Sequence, residues 1–320
     1  MHVSRFFIAT VTALLLCAGC ASSSGGNSKI VSRESDYQKM LELQKQKEAL
    51  AMDEQTPKDL PSEPTAESYE RMGDSYARQG NAAMAVIQYG KSLKLDPGRV
   101  TVHYKLGSIC LARGMTEQAL IEFNEILKRE PENGLGYQGK GLALLKKGEV
   151  ADAKKNLARA VALRPDLWQA HLALGTIYDR EGRFPEAIDE YHKAIAINPN
   201  GAAAFNNLGM SYFLSGDYKR SLEALLHAMK LDPSNSRISN NVGMVLFKMG
   251  RKEEALRYLA NARDQATAYN NLGYLYMSEG KYQEATDAFD KAIQIKPQFY
   301  EKAQENLQRA KALADKEARQ

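Results

Sequence analysis

The chain is 320 residues long, with 44% hydrophobic and 26% charged residues, enough for one large domain or two small ones. This average composition excludes a collagen-like chain, a polar disordered chain and a multi-span membrane protein. The net charge of +4, from 43 basic and 39 acidic residues, is too balanced to imply a nucleic-acid partner, and the basic residues form no dense run. Cys17 and Cys20 sit at the N-terminus and only Cys110 lies in the body, which excludes a disulfide framework.

Residues 1–19 read as a signal. Arg5 supplies a positive start, and Phe6 to Leu16 is an apolar run of eleven residues. That suits a signal-peptide core and falls short of the roughly 20 that span a bilayer. Ala18 and Gly19 precede Cys20. These residues resemble the bacterial lipoprotein signal, which implies lipidation of Cys20. The family prefers Leu at the third position before that cysteine; here Cys17 stands there, with Leu16 one place earlier. An ordinary secretory signal cleaved nearby is the alternative, and it also exports the chain. The resemblance implies several acyl chains on Cys20, whereas one alone anchors only marginally. Ala21 in place of Asp implies, by the same resemblance, an outer-membrane position facing the periplasm.

Residues 20–65 are expected to form a tether. The stretch 21–28, ASSSGGNS, has the composition of a flexible linker. Residues 34–52 have helix-forming composition and a weak apolar stripe through Tyr37, Met40 and Leu41, and Pro57, Pro61 and Pro64 end that segment. A spacer off the membrane and a partner-binding helix are both open readings of this leash.

The body repeats with a period of 34 residues. Starts fall at Ala66, Val100, Gly134, Trp168, Ala202, Ser236 and Ala266. Position 8 is always Gly (Gly73, Gly107, Gly141, Gly175, Gly209, Gly243, Gly273), and so is position 15 (Gly80, Gly114, Gly148, Gly182, Gly216, Gly250, Gly280). Position 20 is Ala except at Ser221, and position 32 is Pro in all repeats but the sixth. These residues resemble the tetratricopeptide repeat. The resemblance implies an all-α, right-handed superhelix of seven helix-turn-helix repeats over 66–299. Their spans are 66–99, 100–133, 134–167, 168–201, 202–235, 236–265 and 266–299.

Each residue type has a reason. Gly at 8 and Ala at 20 let helices A and B approach closely. Gly at 15 ends helix A in a left-handed cap, and Pro at 32 stops helix B. Positions 4, 7, 8 and 11 of helix A form one stripe, such as His171, Leu174, Gly175 and Tyr178. One hairpin cannot bury that stripe, so neighbours must stack. The last repeat then needs a cover, and Tyr300, Ala303, Leu307, Ala310 and Leu313 recur at helical spacing within 300–320, ahead of the polar tail. The sixth repeat is four residues short and lacks its terminal Leu-Asp-Pro. Its helix B is expected to lose about one turn, as a tolerated variation or as a hinge.

Helix A lines the inner wall of such a superhelix, with positions 2, 5, 9 and 12 on one face and 6 beside them. In the first two repeats that wall is charged: Glu67, Glu70, Arg71, Asp74 and Arg78, then Tyr104, Lys105 and Ser108. The last three repeats present paired asparagines, Asn206 with Asn207, Asn240 with Asn241 and Asn270 with Asn271. Beside them run Met210, Phe213, Met244, Phe247, Tyr274 and Met277. An Asn amide both donates and accepts, so it can bond a peptide backbone without reading its side chains, and Met and aromatic groups add adaptable apolar area. The pattern resembles the asparagine ladder in the repeat domain of O-linked N-acetylglucosamine transferase, with Asn207, Asn241 and Asn271 at the ladder position. Two readings stand: a peptide groove, or consensus packing within the superhelix. A clamp for a C-terminal carboxylate is disfavoured, because the basic residues of the first two repeats face Glu67, Glu70 and Asp74.

No catalytic or metal-binding spacing occurs. His103 and His171 occupy position 4, a packing site, and Cys110 replaces the usual aromatic at position 11. The expectation is a non-enzymatic scaffold with no cofactor beyond the lipid on Cys20, no small-molecule substrate and no nucleic acid. Lipoproteins with several such repeats resemble the pilotins of type IV pilus systems and the repeat lipoprotein of tight-adherence pilus machines. That implies help in assembling a pilus or secretion complex, with secretin or pilus components as partners. An adaptor recruiting peptidoglycan-modifying enzymes is the alternative.

Overall fold

The computed structural model describes residues 64–297 and 300–318. The signal segment 1–19, Cys20 and the tether up to residue 63 lie outside them. The described helices belong to one compact unit, Ala66–Gln320. Seven hairpins follow one another, each with a helix A and a helix B: α1 (Ala66–Arg78) and α2 (Ala82–Leu95); α3 (Val100–Ala112) and α4 (Thr116–Arg129); α5 (Gly134–Lys147) and α6 (Val150–Leu163); α7 (Trp168–Arg180) and α8 (Phe184–Ile197); α9 (Ala202–Leu214) and α10 (Tyr218–Leu231); α11 (Ser236–Lys248) and α12 (Lys252–Ala262); α13 (Gln265–Ser278) and α14 (Tyr282–Ile295). A final helix, α15 (Tyr300–Ala318), packs on α14. Among the described residues there is no strand, and no helix is long and apolar enough to cross a membrane.

The position-15 glycines end helix A by a common device. At Gly148 φ is +94°, a region that a Cβ makes costly. The turn it permits sends the next amide back to a carbonyl five residues earlier, Glu149 N to Leu144 O at 3.0 Å. The same bond recurs from Met115 to Cys110 and from Lys281 to Tyr276, so the last carbonyls of helix A are satisfied.

The position-8 glycines serve a purpose the repeat pattern alone does not disclose. Each makes room for the large side chain at position 24 of helix B. A Cβ on Gly175 would lie 2.5 Å from Tyr191 Cε1, and one on Gly141 would lie 2.6 Å from Leu157 Cγ. The close approach is therefore of a side chain into a backbone notch, with Tyr89, Phe123, Leu157, Tyr191, Leu225, Leu259 and Phe289 as the buried plugs.

Successive A helices touch one another as well as the B helix between them, whereas the strong contacts of each B helix run to the A helices before and after it. The A helices thus line the inner side of the stack. The sixth helix B, α12, has 11 residues where the others have 14. With no proline to end it, the chain turns directly into α13, whose start is capped by Asp264 accepting from Thr267 N at 2.7 Å. In α15 Ala303, Leu307 and Ala310 are buried, so this helix covers the last repeat in the place of an eighth helix A.

Candidate functional site

The inner wall is knitted by one recurrent bond. A donor at position 6 of one repeat reaches the acceptor at position 5 of the repeat before. Asn241 Nδ2 donates to Asn206 Oδ1 at 2.8 Å, and Asn271 Nδ2 to Asn240 Oδ1 at 3.3 Å. Asn306 Nδ2 of α15 donates to Asn270 Oδ1 at 3.1 Å, extending the series one step past the repeats. At the opposite end the slot holds an ion pair, Lys105 Nζ to Glu70 Oε1 at 2.8 Å. Between these ends positions 6 are Gly139 and Ala173, which carry no donor. Gln138 spans the gap, reaching Tyr104 Oη at 3.5 Å and Gln169 Oε1 at 3.2 Å.

The asparagine ladder begins with an open end. Position 5 of the fourth repeat is Leu172, which offers no acceptor side chain, so Asn207 has no rung behind it. Its Oδ1 accepts from Asn206 Nδ2 at 3.3 Å, and its Nδ2 has no bond among the described residues. Asn240 likewise keeps a free Nδ2, and Asn241 and Asn271 each keep a free Oδ1. These four side chains are half-buried. The wall therefore offers two amide donors and two amide acceptors alongside the bonds that hold it together.

The apolar strip divides. Met210, Phe213 and Phe247 are 6%, 6% and 3% exposed and belong to the hydrophobic core of the last three repeats. Phe247 stacks edge-on against Tyr276 with centroids 5.0 Å apart. Their expected place on an open surface is corrected: burial between repeats gains more than exposure on the wall. Met244, Tyr274 and Met277 are only partly buried. Asn206 and Asn270 are buried as the acceptors of the ladder. Asn306 lay beyond the sequence reading. It holds Tyr274, accepting from its hydroxyl at 2.7 Å, while the Tyr274 ring packs edge-on against Phe289. The signal that marks it is the Asn-Leu pair at 306–307, which repeats the Asn-Leu of the fifth and seventh repeats.

In the charged wall at the other end, Glu70 and Asp74 are neutralised by basic neighbours. Glu70 accepts from Arg99 Nη2 at 2.7 Å and Thr101 Oγ1 at 2.8 Å besides Lys105. Lys105 also donates to Asp74 at 2.8 Å, as does the Tyr89 hydroxyl at 2.7 Å. Burial pushes the Glu70 carboxyl up, but the hydrogen bonds from Lys105, Arg99 and Thr101 outweigh it and hold the group at about 2. A carboxyl lowered on folding stabilises the fold above its unfolded value near 4.5 and loses that contribution as pH falls toward 2. Between pH 6 and pH 3 the amides of α1 and α3 should lose hydrogen-exchange protection, whereas those of α9 and α11, joined by the neutral Asn206–Asn241 rung, should change less. Equal loss at both ends would show that the ionic stitch is not what holds the first repeat.

Other sequence candidates are structural. His171 Nδ1 meets Glu190 Oε2 at 2.6 Å and its Nε2 meets Pro165 O at 3.0 Å, and His103 repeats this with Glu122 and Pro97. Cys110 is buried, which pushes its thiol up to about 11 and makes it a poor nucleophile. Among the described residues no three or more His, Cys, Asp or Glu side chains converge to hold a metal.

A stack of glycine-punctuated hairpins with a polar inner wall defines a helical solenoid repeat protein. The chain belongs to the tetratricopeptide-repeat family: models of that repeat match residues 70–134, 139–202, 202–235, 237–264 and 266–299. No curated protein matches the chain. Among solved structures, a tetratricopeptide repeat protein from Parabacteroides merdae is 17% identical, covering 77% of this chain and 98% of that one with a TM-score of 0.52. The Cut9–Hcn1 hetero-tetramer of APC/C matches at 17% identity, 72% and 49% coverage and a TM-score of 0.50. MamA is 27% identical, covering 51% of this chain and 95% of that one with a TM-score of 0.43. Tetratricopeptide-repeat proteins are in general non-enzymatic scaffolds that bind peptides or proteins.

Proposed function

We propose that the protein is a lipid-anchored scaffold of the bacterial cell envelope that docks an extended segment of a partner on its inner wall and assists assembly of a pilus or secretion complex. The docking reading is carried by the half-used ladder. Asn207 and Asn240 hold free donors, and Asn241 and Asn271 free acceptors, on half-buried side chains of three successive repeats. A peptide backbone offers both complements at each residue. Met244, Tyr274 and Met277 flank them with partly open apolar area. The signal-like residues 1–19 and Cys20 support the anchor, placed at the outer membrane facing the periplasm. Lipid and tether together keep the wall near its partners, which raises their effective concentration.

Three experiments test the reading. Cys20→Ser, expressed in a Gram-negative host, should move the exported protein from the membrane fraction to the soluble periplasmic fraction; persistence in the membrane fraction would overturn the lipid anchor. Affinity capture of the anchored chain from its native envelope should return secretin or pilus components, and its deletion should reduce secretin multimers. Recovery of peptidoglycan hydrolases instead would establish the adaptor role.

A further inference from the structure

We infer that the edge formed by the C-terminal ends of α1, α3, α5 and α7 is a docking rim for an extended acidic segment of a partner protein, with a carboxylate at about every third residue. This surface is separate from the asparagine ladder and does not rest on it.

The observation is a line of cations left over after local pairing. Position 13 of helix A lies eleven residues beyond position 2, within about 20° of it on the helix, so it borders the inner wall. It is Arg78, Lys146 and Arg180 in the first, third and fourth repeats. Arg113 caps the end of α3, and Lys146 Nζ reaches back to donate to Leu111 O of that same helix end at 2.7 Å. All four side chains are exposed, and among the described residues none of them has a carboxylate partner.

A single cation at a helix C-terminus complements the macrodipole. That accounts for each charge by itself and not for the lack of a carboxylate partner at all four. The neighbouring carboxylates are engaged elsewhere. Glu117 and Glu149 both pair with Lys147, at 3.1 and 2.8 Å. Glu181 pairs with Lys154 at 2.7 Å and Arg183 at 3.5 Å. Asp74 is held by Lys105 and Tyr89, and Asp179 by the Tyr191 hydroxyl at 2.7 Å. Further along, Lys248 at the same position of the sixth repeat is paired with Glu279 at 2.9 Å, so the rim stops where the neutral ladder runs.

The spacing defines the ligand. Packed helices lie about 8–10 Å apart, so four repeats present their cations over about 30 Å. An extended chain rises about 3.3 Å per residue, which brings one residue in three level with each successive repeat. Exposed charges of this kind contribute more to encounter rate and partner choice than to affinity, so binding should be salt-sensitive.

The test uses the full chain and a fluorescein-labelled peptide about twelve residues long with Glu at every third position, separated by Ser and Gly. Its Gln counterpart serves as control, and binding is read by anisotropy at about 50 and about 200 mM salt. The Glu peptide should bind at least about tenfold more tightly than the Gln peptide and weaken steeply with salt. The triple variant Arg78→Gln, Arg113→Gln and Arg180→Gln keeps Lys146 and its bond to α3, and should lose about tenfold. A convex-face triple, Lys94→Gln, Lys155→Gln and Lys230→Gln, removes the same charge and should bind as the parent does. Equal loss in both triples, or indifference to Glu against Gln, would overturn the rim. The variant Asn207→Ala with Asn240→Ala should leave this peptide's binding unchanged; a matching loss there would place the acidic segment on the ladder instead.

Discussion

Gly175→Val should open the fourth hairpin, with a loss of more than about 3 kcal/mol from overpacking a site that cannot yield. Even a lone Cβ on Gly175 would stand 2.5 Å from Tyr191 Cε1 and 2.8 Å from its Cδ1. The ring has nowhere to go: Tyr191 is 1% exposed, and its hydroxyl donates to Asp179 Oδ2 at 2.7 Å. Moving it would break that bond in a buried setting, at about 1–3 kcal/mol more. Gly148→Ala is the control. It pays for a φ of +94° with nothing within 4 Å of the new carbon, so strain alone applies, at about 1–2 kcal/mol. In hydrogen exchange the Gly175→Val loss should be largest in α7 and α8 and fade through the flanking repeats, because such arrays are coupled mainly to nearest neighbours. Tyr191→Ala should lessen the further cost of Gly175→Ala by emptying the notch. Independent, additive costs in that double-mutant cycle would mean that the notch and the plug are not matched.

The glycine register made the fold legible because its two kinds of glycine answer to backbone constraints that only sequence position sets. Gly80 and its six counterparts must reach positive φ where helix A ends, and a period of 34 residues locates every hairpin from them. The plugs were less visible. Tyr89, Phe123 and Leu157 differ in chemistry and share only volume and burial, so a search for identical residues passes over them. The wall was legible in outline, since helical spacing alone brings Asn206, Asn240 and Asn270 to equivalent places. What spacing does not tell is how far each side chain is covered by the next repeat. Phe213 and Met210 point toward that junction and are enclosed, whereas Tyr274 remains partly open. Asn306 escaped because α15 starts its register one residue later than a strict 34-residue period requires, and only the packed neighbours reveal that it is a rung.

Stitching and docking are chemically separable on this wall, and single alanines should separate them. Asn306→Ala removes two bonds at once, to Asn270 Oδ1 at 3.1 Å and from Tyr274 at 2.7 Å, and leaves a buried acceptor without a donor. Each such orphan costs about 1–3 kcal/mol, so the cap should loosen and α15 should exchange its amides early. Asn241→Ala orphans Asn206 Oδ1, which is 9% exposed, and should cost about half as much as Asn306→Ala, since one bond is lost instead of two. Asn207→Ala differs in kind. No earlier repeat depends on its Nδ2, and it gives up only the 3.3 Å contact from Asn206 within the same helix. Its effect on melting should be the smallest of the three, while its free donor makes it the variant that most directly weakens partner capture. Combined with Asn241→Ala and Asn271→Ala it should reduce capture by more than about tenfold, from about 0.5–1.5 kcal/mol for each hydrogen bond lost, with helicity retained by circular dichroism. If Asn207→Ala lowers stability as far as Asn306→Ala does and leaves capture untouched, the free amides are part of the packing and the partner binds elsewhere on the solenoid.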